Sequence, residues 1–503
     1  MPGLTSRHQR GAFRPLVRQP PFARLVTGIE RGLKGALFGC RMCGNCLLLE
    51  TGFICPMTCL DGLRNGPCLD SPPRRCFSSP SSRCTWYDIY HRADLRDDLD
   101  RLLEIIPPLD SQRVGCEITL TAIRAWRRAG YPRLRDLLAD PERFRAEWEA
   151  FRYELRQPSW WRGDRVYHPP AYTRPASLLE LTLRRGEFAV IAGVASPSDS
   201  DPNRLAQVAD RLKGRVHAIT FVPRPAGIPS MSPSACAAGC LRHRLEPILP
   251  LRIYGRDRYA IEEEAIGAAA LGVRNILCLL DKAPRRTYGP PSPPRMNDLD
   301  PAQALWMLRR LRDEGVNIDG RPVRGRPRYF LGAVTAPFAL APRYEAVAVE
   351  KKINAGAQFL QTLPVFDLGR FVTWLEALDQ RDLLGKAHLI VTVMLLSSAQ
   401  EARFLAQDLP GLSIPESLVT RLEDAVDPVE EGVAIALELI SEIRRIGAVR
   451  GLHLLAPHRE DVIPRVLSHA GLGAVHPAAS FSGNGRNGTS AHPIGDAEER
   501  ADR

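Results

Sequence analysis

No apolar run in this sequence reaches the roughly 20 residues that a membrane-spanning helix needs, so no membrane partner is expected. The first 35 residues are basic and interrupted by Pro15, Pro20 and Pro21, and they contain neither an apolar core nor a small-residue cleavage site. We read 1–35 as a loosely attached basic arm and expect a reducing, cytoplasmic setting. The net charge of +11 comes overwhelmingly from arginine, but no recognition helix, RNP-like aromatic run or long basic stripe accompanies it. Pairs such as Glu142-Arg143, and runs such as Arg96-Asp97-Asp98, spread that charge beside acids. No nucleic-acid partner is therefore expected, while an acidic electron-donor protein stays compatible with the charge. A glycine-rich phosphate turn is also missing after the first strand-like run of the C-terminal part: Gly193-Val194-Ala195-Ser196-Pro197 is not one.

Cysteine, by contrast, is concentrated. Eight of the twelve cysteines lie between Cys40 and Cys84, as C-x2-C-x2-C-x8-C-x3-C-x8-C-x7-C-x7-C. Thiolates two residues apart in glycine-containing turns can converge on one metal ion or cluster. Disulfides suit short secreted chains instead. Cys40, Cys43, Cys46, Cys55, Cys59, Cys68, Cys76 and Cys84 are thus candidate ligands, in one or two centres. The C-x2-C-x2-C opening is closer to iron–sulfur ligation, [4Fe–4S] included, than to a zinc ribbon, and zinc remains open. Residues 36–92 form this module, which has too little apolar content to fold without a staple. Cys116, Cys236 and Cys240 read as buried thiols.

Residues 93–176 read as a helical linker region, with a second helix from about Pro141 to Leu155 and a surface-packed segment at Trp160-Trp161. From residue 177 the pattern alternates. Ser177 caps an amphipathic helix to Arg185, and apolar strand-like runs recur at Phe188–Val194, Val216–Val222, Pro247–Ile253 and Asn275–Leu280. Four more follow at Tyr329–Thr335, Gln358–Leu363, His388–Leu396 and Gly451–Ala456, with helical segments between. Eight strands alternating with helices over 177–477 imply an α/β fold, a (β/α)8 TIM barrel; a doubly wound sheet would need the missing phosphate turn. Residues 478–503 have no periodicity and read as a disordered tail.

Particular residues resemble a family. Lys351-Lys352-Ile353-Asn354-Ala355-Gly356-Ala357-Gln358-Phe359, followed by Pro364-Val365-Phe366-Asp367, is similar to the sixth-strand region of methylenetetrahydrofolate reductase barrels. Arg256-Asp257-Arg258, the run from Ala269 to Leu277, and Leu409-Pro410-Gly411-Leu412 are similar to the same family. The cysteine module resembles the accessory domain found fused to, or beside, that barrel. The resemblance implies a flavin oxidoreductase, holding FAD or FMN, that converts 5,10-methylenetetrahydrofolate to 5-methyltetrahydrofolate. It implies a folate substrate and NAD(P)H or a protein as electron donor, in a hetero- or homo-oligomer. It places Thr220, Glu345 and Lys352 on the flavin side and leaves Asp281 as the catalytic candidate. Asp199 and Asp201 are the other acids near a strand end. The sequence departs from the family where Gly193 replaces the first-strand Glu and Leu363 the pterin-anchoring Gln. The alternative reading is a catalytically degenerate electron-transfer or scaffold subunit beside a separate reductase.

Overall fold

The computed structural model describes residues 18–68, 74–76, 78–110, 112–116, 142, 166–222, 229–280, 297–408, 411–457 and 459–473. The helix expected at Pro141–Leu155, Trp160-Trp161, the tail and Asp281 lie outside the described residues. A short antiparallel hairpin, β1 (Arg75–Cys76) and β2 (Ser79–Arg83), belongs to the cysteine module. Eight parallel strands then close a barrel: β3 (Ala189–Ala195), β4 (Ala218–Val222), β5 (Pro247–Arg252), β6 (Asn275–Leu279), β7 (Phe330–Thr335), β8 (Phe359–Pro364), β9 (His388–Met394) and β10 (Val449–Leu455). Every expected run is a strand, shortened at one or both ends or moved by a residue or two. Pairing runs in sequence order and closes β10 onto β3.

Strand alternation divides the barrel into two cores. Side chains such as Val190, Ala192, Ile219, Leu331, Val391, Leu452 and Leu454 face outward and pack under the helices. Ala189, Ile191, Ala218, Ile248, Leu277, Phe330, Phe359 and Ile390 face inward and fill the barrel. Gly332 belongs to this inner face because the Phe359 ring lies over it; a Cβ there would come within 2.1 Å of that ring. The helix Leu178–Arg184, capped by Ser177 as expected, closes the bottom with Leu179 and Leu183. Its N-terminus is held by half-buried Glu246, which accepts from Leu178 N at 2.7 Å, Leu179 N at 2.9 Å and Asn275 Nδ2 at 2.8 Å. A carboxylate among free helical N–H groups is a favourable placement.

The expected basic arm is partly a helix. Pro21–Phe38 is helical, begins with proline at its first position and ends on left-handed Gly39. Proline lacks only an N–H that has no helical partner there, so Pro20-Pro21 starts this helix where it had been read as breaking the chain.

The cysteine module does not stand apart from the barrel. Its Leu63, Trp86, Ile89, Tyr90, Leu102 and Ile106 form one core with Leu340, Tyr344 and Val347 around the helix Pro342–Ala355. Polar contacts border this core: Asn65 N donates to Asp300 Oδ2 at 2.8 Å, Asn297 Nδ2 to Asp61 O at 3.0 Å, and Tyr344 Oη to Asp94 Oδ2 at 2.9 Å.

Candidate functional site

In a barrel of this kind the C-terminal strand ends form the working face. The inward positions approaching that face are Gly193 on β3, Thr220 on β4, Gln361 on β8, Thr392 on β9 and His453 on β10. Their neighbours fix the register: Gly193 pairs with Thr220, and His453 with Thr392. All these polar side chains are buried. Among the described residues Thr220 Oγ1, Gln361 Oε1 and His453 Nε2 have no hydrogen-bond partner, which is costly for a buried polar atom and marks places where a ligand can supply one.

His453 is the residue that sequence reasoning missed. Its Nδ1 lies 3.1 Å from Thr392 Oγ1, and that hydroxyl lies 2.6 Å from the Thr362 carbonyl oxygen. A hydroxyl has one proton, and only donation suits a carbonyl, so Thr392 accepts from Nδ1–H. The ring is thereby held with Nδ1 protonated and Nε2 bare. Nε2 fills the space beside Gly193, where a Cβ would sit only 2.6 Å from it. The sequence clue was a lone histidine between Leu452 and Leu454 on an apolar strand.

Burial alone pushes the His453 imidazolium down to about 4, so the ring is neutral at neutral pH. Thr392, Gly193 and Leu455 are the side chains or positions against it, and none titrates. The unfolded chain protonates this ring near its ordinary 6.5, the folded chain only near 4, so the unfolded state binds more protons between those values. Stability is therefore lost as pH falls from 6.5 towards 4, by about 3 kcal/mol for this group. Urea unfolding of wild type and His453→Gln across that range should give curves that converge at acid pH; parallel curves contradict the assignment.

The acids expected near the first strand end do other work. Asp199 is exposed, accepts from Asp201 N and pairs with Arg204, while Asp201 accepts from Asn203 N at the start of the helix Asn203–Leu212. Short side chains in a loop entering a helix bond that local backbone first. Glu460, half-buried, does reach the rim, where its Oε1 accepts from Ala195 N at 3.1 Å. Leu363 is half-buried and packs on the inner core.

Glu345 and Lys352 share one helix, Pro342–Ala355, that runs from the C-terminal rim back towards the start of β8. Lys352 in its last turn is thus far from the working face. Glu345 is buried beneath the module, and its charge reaches Tyr90 there. Burial pushes Glu345 up and Lys352 down, and each opposes the other's shift, so the pair is internally matched.

The eight cysteines of the module form no disulfide among the described residues. Cys40, Cys43, Cys46 and Cys55 line one cavity with Glu30, Lys34, Met42 and Met57. Cys59 is electrostatically coupled to Cys68, and Cys84 caps the helix Thr85–Asp94, its Sγ accepting from Tyr87 N at 3.5 Å. Among the described residues no three His, Cys, Asp or Glu side chains converge as a metal-binding group. Burial pushes Cys46 up to about 11 and Cys55 up to about 12, and Cys43 Sγ donates to Asn45 O at 3.3 Å. Neutral thiols pack like small apolar groups, here with Leu48 and Met57. The donor set of the first cavity still fits thiolate ligation in kind, once its thiols lose their protons.

A closed parallel barrel with helices outside defines this chain as a (β/α)8-barrel protein. Residues 180–471 match the family described as methylenetetrahydrofolate reductase, and residues 20–112 match the family described as methylene-tetrahydrofolate reductase C terminal. The chain belongs to the methylenetetrahydrofolate reductase family. Comparison with curated proteins gives no match. Among solved structures, one similar chain is an uncharacterized Clostridium thermocellum protein described as binding two copies of 5-methyl-5,6,7,8-tetrahydrofolic acid. It is 16% identical with a TM-score of 0.41, over 59% of this chain and 98% of that one. Another is EDTA monooxygenase from Chelativorans sp. BNC1, 13% identical with a TM-score of 0.35, over 58% of this chain and 95% of that one. No helix among the described residues is long and apolar enough to cross a membrane.

Proposed function

We propose that this chain is a flavin-dependent oxidoreductase that interconverts 5,10-methylenetetrahydrofolate and 5-methyltetrahydrofolate. The observation that supports this most is the set of bare, buried polar atoms on the inner wall, Thr220 Oγ1, Gln361 Oε1 and His453 Nε2, in a barrel of this family. A flavin and a pterin both present edges of alternating donors and acceptors, and the wall offers a hydroxyl, an amide oxygen and an imidazole nitrogen to meet them.

Thr220 would hold the flavin, which supplies hydride transfer when bound. Gln361, one turn of strand alternation below Leu363, offers the amide that the pterin would use. Glu345 is buried against the module near Tyr90, so Thr220 carries the flavin contact in this reading. In this reading Asp281 remains a carboxyl near the end of β6, and NAD(P)H or a protein donor reloads the flavin. Cys40, Cys43, Cys46 and Cys55 are the thiols assigned to a zinc ion or iron–sulfur cluster, whose content elemental analysis reads directly.

The full chain, purified anaerobically, is titrated with FMN and FAD while the visible spectrum is followed. Saturable binding of one of the two flavins is expected. No binding of either removes the flavin from the reading.

A further inference from the structure

Gly193 stands where the family carries a carboxyl, yet the space it leaves is not empty. A side chain starting at Gly193 would meet His453 Nε2 at 2.6 Å and Leu455 Cδ1 at 3.0 Å. An imidazole therefore occupies the position from which an acid would work. Its orientation is not that of a histidine placed for packing alone. One nitrogen is tied through Thr392 Oγ1 to the Thr362 carbonyl, at 3.1 and 2.6 Å, while the other has no partner among the described residues. A group with one nitrogen anchored and the other bare, at the working end of a barrel, is arranged to exchange a proton with a ligand.

We infer that His453 is the proton-transfer residue of this barrel, acting at Nε2 in place of the carboxyl that Gly193 lacks, with Thr392 as its positioning residue. The inference rests on the folate reading above. In ring opening, a ring that has first taken a proton from solvent at Nε2 passes it to folate N10. The bond from N10 to the methylene carbon breaks with its electron pair going to N10, and the N5 lone pair forms the iminium double bond. Charge is conserved, because imidazolium becomes imidazole as the iminium forms. In ring closure the same atoms move in reverse, and bare Nε2, the resting form here, takes the proton. Glu460 at the rim already accepts from Ala195 N, so it is the competing candidate.

The test compares wild type with His453→Gln, Thr392→Val and Glu460→Gln, all as full-length, flavin-loaded protein. Binding of 5-methyltetrahydrofolate is measured by calorimetry and the folate half-reaction by rapid mixing. His453→Gln is expected to bind folate and flavin within about threefold of wild type while reacting about 10²–10⁴-fold more slowly. Thr392→Val, which keeps the ring but frees its tautomer, should lose less and shift the pH profile. A ¹⁵N-histidine spectrum of the unaltered chain should show a bare ring nitrogen that moves when folate is added. Wild-type rates in His453→Gln, or a loss confined to Glu460→Gln, overturn this inference and leave the folate reading standing. A wild-type chain that binds no folate, with no movement of that nitrogen, overturns both.

Discussion

Trp86→Ala should destabilise the protein by about 3–5 kcal/mol, as expected for emptying a buried indole site. Trp86 is 1% exposed and lies where the cysteine module meets the barrel. Its Nε1 donates to Leu63 O at 3.1 Å, and its ring packs edge-to-face on Tyr90 with centroids 6.4 Å apart. Gly66 fits against its face only because glycine has no side chain; a Cβ would come within 2.2 Å of the ring. The cavity left by alanine cannot collapse easily, because Tyr90 and Tyr344 are themselves fixed by neighbours. Urea unfolding measures the loss, and Trp86→Phe, which keeps most of the volume, should lose clearly less. A loss under about 1 kcal/mol for alanine would mean that the module is not docked through this residue.

Asp300→Ala should cost a similar amount for a different reason. Asp300 is fully buried at the start of the helix Pro301–Asp313, where it caps Gln303 N at 3.0 Å and accepts from Asn65 N and Nδ2 at 2.8 and 2.9 Å. Burial pushes its carboxyl up, and the hydrogen bonds and Lys351 pull it back. Burial likewise pushes Lys351 down to about 8, with Asp300 and Glu104 opposing. Removing the carboxylate takes away a helix cap and leaves Lys351 short of its nearest counter-charge. Breaking a buried pair from one side typically costs about 3–5 kcal/mol. Lys351→Met in the Asp300→Ala background should recover part of it, because the uncompensated ammonium is gone. If the two losses simply add, the residues are not coupled as described.

The barrel was legible because its strands are buried on both faces and read as short apolar runs with helical segments between them. The helix Pro21–Phe38 was hidden by its prolines, which mark a start as readily as a break. The docking of the module was hidden for a different reason. Trp86, Ile89 and Tyr90 look like a small domain's own core, and nothing local says that Tyr344 and Val347 complete it. The mouth was half legible: Thr220 could be placed on its strand, while the contact of His453 with Gly193 and Thr392 emerged only once β10 closed beside β3 and β9. Cysteine spacing brought four thiols to one cavity, but spacing alone does not remove their protons.

The decisive measurement mixes the oxidised, flavin-loaded chain anaerobically with 5-methyltetrahydrofolate and follows the flavin's visible band. Bleaching of that band, with 5,10-methylenetetrahydrofolate formed in equal amount, is the result this account predicts. A flavin that stays oxidised while folate is bound would contradict it.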